Sequence, residues 1–127
     1  MVSPIDDLLD DDGFARCDDA ALWARFETHD LAVGQIAEAR WYGSLFLAES
    51  TASHFAVAKQ ILCAAACYAD VHALMWKVWD AVGGIGQTMD RARRLAEPPV
   101  RRSIVGLLAR AREQEIEAVG HLTNALA

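Results

Sequence analysis

Cys63, Cys67 and His72 stand in one run, CAAACYADVHALMWKVWD, that also holds Tyr68, two acids and two tryptophans. Cysteine, histidine and aspartate are all zinc ligands, so Cys-x3-Cys-x4-His is the first chemistry to test. On a helix, however, His72 points ~140–180° away from both cysteines, at about 100° per residue. The three cannot share a coordination sphere unless the helix is broken there. The cysteines then read as small buried hydrophobes, and neither a metal nor a cofactor is expected. Glu117 and His121 share a face at i, i+4, a spacing that commonly marks a surface contact.

The histidines offer a second chemistry. His54 and His72 are five helical turns apart and fall on one line with Tyr68, Trp76 and Trp79. Lys59, Asp70 and Lys77 lie opposite, which puts that line in the middle of the presumed core face. His29 and Arg40 sit on the apolar stripe of the preceding helix. Four ionisable groups on apolar stripes exceed what chance scatter suggests. With a tight turn near Ser50, an antiparallel hairpin pairs residues whose numbers sum to about 101, so that His29 stands level with His72. A facing pair with Tyr68 one turn away could act as general base, proton relay or metal ligand. Arg40, His54, Trp76 and Trp79 are the candidate ligand-binding residues around it, for a small apolar or anionic molecule. The alternative is a set of core histidines bonded to Tyr68, a backbone carbonyl or buried water.

The elements that must position these groups are helices. Hydrophobic residues make up 54% of 127 positions, with much alanine and few β-branched residues, which favours an all-α bundle in one domain. Three long helices are expected at about 19–49, 51–82 and 100–126, with short ones near 4–12 and 88–97. Ser3 and Pro4 start the first, and Gly13 closes it. Asp18 or Asp19 caps the second. On that helix Trp41, Leu45 and Phe46 drift off the stripe of Leu22, Phe26, Val33 and Ile36, so Gly43 is one candidate break. Ser50 is the other, and is preferred because it divides the run into helices of similar length. Pro98-Pro99 stops the short helix at 88–97. Residues 1–18 form an acidic segment ahead of a single bundle domain, 19–127.

Charge is unevenly spread. Residues 1–19 carry seven aspartates against Arg16, and residues 91–112 carry seven arginines against Glu97, in a chain of net charge −6. The two segments either meet, within one chain or between subunits, or form two solvated faces. The overall acidity and the lack of an aromatic residue in the basic stretch argue against a nucleic-acid partner. Gly83-Gly84-Ile85-Gly86 before Arg91, Arg93 and Arg94 could hold an anion, but reads better as a helix end followed by a turn. No apolar run approaches the roughly 18 residues of a membrane span, and the acidic start is unlike a signal peptide. A cytoplasmic protein without a membrane partner is expected. The leading functional expectation is a helical module that binds a protein partner or forms a homodimer. The competing one is a small enzyme or ligand sensor with a pocket at His29, His72 and Tyr68.

Overall fold

The computed structural model describes residues 4–127, so the expected Ser3 cap falls outside the described residues. The described residues are helical without a strand, in the order α1 (Pro4–Leu8), α2 (Asp11–Ala15), α3 (Asp19–Ser50), α4 (Ala58–Ala81), α5 (Met89–Leu95) and α6 (Pro98–Leu126). The all-α bundle of three long helices therefore stands. Asp18 caps α3 by accepting from the Ala21 N–H at 2.8 Å, and Thr88 caps α5 by accepting from Arg91 N at 3.2 Å.

Three boundaries differ from expectation. The first short helix is two helices, because the Asp10 carboxylate accepts from Gly13 N and opens α2 there. Pro98 and Pro99 begin α6 rather than only ending α5, since the first helical turn needs no N–H donors. The helix expected from 51 begins at Ala58, after a connection containing a 3-10 turn at Phe55–Val57.

Gly13 lies inside α2, where alanine would ordinarily be the better helix former. A Cβ there would collide with the Asp10 carboxylate and come within 2.8 Å of Arg25 Nη2. Gly13→Ala should therefore destabilise the chain by about 1 kcal/mol, the usual worth of a helix cap, despite the gain in propensity. Urea denaturation measures this; an unchanged or raised midpoint would refute it.

α4 is the central helix, antiparallel to α3 on one flank and to α6 on the other. Ala64, Val71, Met75 and Val78 are fully buried along its core line, against Phe26 of α3 and Ile104 of α6 elsewhere in the core. Lys59, Asp70 and Lys77 are exposed, as their shared sector required. The span Phe55–Ala81 is long and apolar enough, by length and composition, to cross a membrane, which corrects the expectation that no such run exists. Between Lys59 and Lys77 the only charged residue is Asp70. In this fold those apolar residues carry the core of the bundle.

The acidic head belongs to the same core. Leu8 and Phe14 are buried in the cluster of Leu22, Phe26, Leu95 and Ile104. Its carboxylates meet the basic segment within the chain: Asp11 pairs with Arg101 and, at 4.0 Å, with Arg102, while Asp19 lies 3.6 Å from Arg93. Arg25 of α3 adds contacts of 3.6 Å to Asp7 and Asp10.

Arg101 organises this end of the bundle. It is completely buried, and its guanidinium donates to the carbonyls of Leu8, Leu95 and Ala96 and to Asp11. Its Cζ also sits 4.2 Å from the centre of the Phe14 ring. One side chain thus caps the C-terminal ends of α1 and α5, whose last carbonyls have no helical partner.

Candidate functional site

The seam between α3 and α4 fixes the register of every candidate histidine. Ser44 Oγ donates to the Ala65 carbonyl at 2.9 Å, His72 Nδ1 meets the Ala37 carbonyl at 2.8 Å, and Trp79 Nε1 donates to Asp30 at 3.1 Å. His72 therefore stands opposite Ala37, and His29 is eight residues, ~12 Å, further along α3. The expected His29–His72 pair does not form. The helix break does fall at Ser50, but the connection through Val57 consumes seven residues instead of a tight turn. That slides α4 by two turns against α3.

His72 is half-buried and both of its ring nitrogens are engaged. The Ala37 carbonyl can only accept, so Nδ1 carries the proton; the Trp76 indole N–H can only donate, so Nε2 accepts it at 3.2 Å. The ring also stacks on Trp41, with centroids 5.0 Å apart. Trp41, His72, Trp76 and Trp79 form a chain of rings across the seam, closed by Asp30, which also accepts from Gln87 at 3.1 Å. In this arrangement the Nε2 lone pair of His72 is directed at the Trp76 indole N–H. This line flanks the core rather than running through its middle, since the fully buried residues of α4 centre ~80–90° away. Trp76 accordingly keeps 43% of its surface and Trp79 only 9%.

The other candidates are separated. His54 precedes α4, is exposed, and turns its ring to the Ser50 carbonyl at 3.1 Å. Arg40 forms a two-pronged ion pair with Glu115 of α6 and lies 5.6 Å from the centre of the Tyr68 ring. Glu115 carried no sequence signal, because its partner is set by tertiary approach alone. Arg101 did carry one: at about 100° per residue it falls ~20° from Leu108 on the α6 stripe.

His29 sits near the head, with Asp30 and Asp7 as charged neighbours. Burial lowers its pKa below 6.5, against weaker opposing effects of Asp30 and Asp7. A depressed histidine binds its proton less readily folded than unfolded, so the stability is fully present above the unfolded value of 6.5 and is lost as the pH falls from there through the lower folded value. His29→Gln should weaken the fall in stability between about pH 7.5 and about pH 5.5, on either side of the ordinary histidine value. Denaturation midpoints at the two pH values measure it; a fall as steep as in the wild type would refute this role.

The glycine turn is a helix end. Gly83, Gly84 and Gly86 have φ of 106°, 121° and 109°, Gly84 N donates to the Trp79 carbonyl at 2.9 Å, and Arg91 reaches back to the Gly86 carbonyl at 3.3 Å. These contacts fit a helix C-terminus followed by a turn.

Two apolar hollows lie between α3 and α6. The larger, about 540 Å³, is lined by Ile36, Val71, Met75, Leu108 and Ile116; the smaller, about 310 Å³, by Gly43, Phe46, Leu47, Tyr68 and Leu122. The Arg40–Glu115 pair stands at the first, and Arg40 lines both. Beyond them the C-terminal half of α3 exposes Trp41 (43%), Tyr42 (61%), Leu45 (41%) and Phe46 (70%), with Phe55 (88%) in the following turn. Comparisons with protein-family models, curated proteins and solved structures give no match.

Proposed function

We propose that the protein is a helical interaction module that forms a homodimer through the C-terminal half of α3. The observation that carries this reading is the cluster of exposed Trp41, Tyr42, Leu45 and Phe46 on two adjacent turns. A helix apolar around its circumference is ordinarily buried on all sides, and α4 covers only one. With aromatic side chains burying ~150–250 Å² each, these residues and Phe55 offer on the order of 600 Å². That is most of the ~800 Å² per partner of a standard interface. Residues 41–58 contain one charged side chain, Glu49, and depletion of charge is the compositional mark of interface centres. A second copy is the favoured occupant because one patch can then cover its own equivalent around a two-fold axis. Three unpaired cysteines, Cys17, Cys63 and Cys67, suit a reducing, cytoplasmic setting for such a module.

Sedimentation equilibrium over a hundredfold range of concentration tests it. A dimer mass that dissociates on dilution is expected. A monomer mass at every concentration and salt level refutes it.

The groove at Ile36, Val71 and Met75 favours a second reading, a receptor for a small apolar molecule, since its volume of about 540 Å³ falls within the usual range of ligand sites. Arg40 would meet an anionic end of such a molecule.

A further inference from the structure

We propose that Cys67, Glu117 and His121 form a binding site for a thiophilic divalent cation, with Zn²⁺ the closest chemical match. The sulfur of Cys67, an imidazole nitrogen of His121 and a carboxylate oxygen of Glu117 all lie within 4.8 Å of one another. The site joins two helices: Cys67 points from α4, and Glu117 and His121 from successive turns of α6. The sequence pattern that paired the cysteines with His72 fails because His72 faces α3. The histidine that Cys67 does meet is on the other flank of α4.

Small residues make the convergence possible. Ala64, Cys67 and Ala118 pack together where α4 crosses α6, so the backbones approach closely enough for short side chains to meet. The ligand spacing is close to what a zinc ion needs. Bond lengths of ~2.0–2.3 Å imply ligand–ligand separations of about 3.3–3.8 Å in a tetrahedron. His121 Nε2 already lies 3.8 Å from Glu117 Oε1. Closing the widest gap needs ~1 Å of side-chain movement, and the Glu117 and His121 side chains are 57% and 30% exposed, free to supply it.

The donor set selects the ion. One sulfur, one nitrogen and one oxygen suit zinc, whereas calcium and magnesium take oxygen ligands throughout. Three protein ligands leave the fourth position to solvent, and Glu117, the more exposed of the two α6 side chains, marks the open side. On binding, the Cys67 thiol gives its proton to the buffer and the thiolate bonds to the metal. Cys63, half-buried one turn before Cys67, lies outside the triad and serves as the internal control.

The test is titration of the chelator-treated full chain with Zn²⁺ by calorimetry, and with Co²⁺ by absorbance. One equivalent of Zn²⁺ is expected, together with a cobalt–thiolate charge-transfer band and visible bands of tetrahedral type. Cys67→Ala should abolish the thiolate band. His121→Ala, at a partly exposed position where circular dichroism should show an unchanged fold, should weaken uptake by more than tenfold, because even outer-shell partners are worth ~10–100-fold. Cys63→Ala should bind as the wild type does. Absence of stoichiometric uptake overturns the proposal, as does uptake that His121→Ala and Cys67→Ala leave unchanged, or a thiolate band that depends on Cys63 alone.

Discussion

Replacing Arg101 by alanine should lower the stability of the chain by about 3 kcal/mol, which for a domain of this size is roughly a 10 °C drop in Tm. The effect is large because the loss is not one ion pair. Asp11 is 56% exposed and water can take over its charge, so the pairing alone would be worth little. The carbonyls of Leu8 and Leu95 have no such recourse, since Arg101 is buried among them and the substitution adds no donor; that of Ala96 is only partly buried. Each buried acceptor left unpaired costs ~1–3 kcal/mol. The packing of the guanidinium on Phe14 is lost as well. Arg101→Lys should recover only a small part, because one ammonium cannot reproduce a planar fork of donors spread over two helix ends. The damage should be local first. α1 and α2 should exchange their amide protons much faster in the variant, while the α3–α4 seam keeps its protection. A Tm within about 3 °C of the wild type would show that the carbonyls find other donors.

How much of this was legible in the sequence depends on what each feature rests on. The long helices and their caps follow from local chemistry: Asp18 and Thr88 accept from the N–H three residues on, and no distant residue is involved. The sector of Lys59, Asp70 and Lys77 was equally readable, because it needs only the helical period. The facing of His29 and His72 was not. It depended on the length of the connection after Ser50, and residues 51–57 have no strong turn signal beyond serine and threonine. A few residues of loop moved the partner of His72 by two turns. The contact between acidic head and basic segment was legible as a charge balance. That one arginine of the seven lies on the apolar stripe of α6 was readable from the helical period; that it caps two helices was not, since that depends on where α1 and α5 end in space.

One signal allowed two readings and bears on function, and the preferred one, a helix end at Ser50, holds. Trp41, Leu45 and Phe46 leave the apolar stripe of α3, and a helix break at Gly43 would explain that locally. The helix runs unbroken to Ser50 instead, so the drift marks another apolar surface on the same helix. Periodicity assumes one buried face per helix. Where a helix has two such faces, the shift from one to the other mimics a helix end.

That surface yields the other large expected effect. If the chain dimerises through this surface as proposed, Tyr42→Glu combined with Phe46→Glu should shift it from dimer to monomer, weakening association at least 30-fold. Central aromatic residues commonly contribute ~2 kcal/mol or more each, and two buried unpaired carboxylates would add a further penalty. The folded chain itself should be untouched, because 61% and 70% of these residues already lies in contact with solvent. A monomer of wild-type helicity is therefore expected at concentrations where the wild type is dimeric. Phe26 provides the contrast: it is fully buried in the core, and Phe26→Ala should cost ~3–5 kcal/mol of folding stability. If the double variant instead loses its helical signal together with its mass, the two residues belong to the fold and the interface reading of α3 fails. If it keeps a dimer mass, the subunits meet elsewhere. The exposed α6 residues Ile116 and Val119, beside the larger hollow, would then be the next surface to substitute.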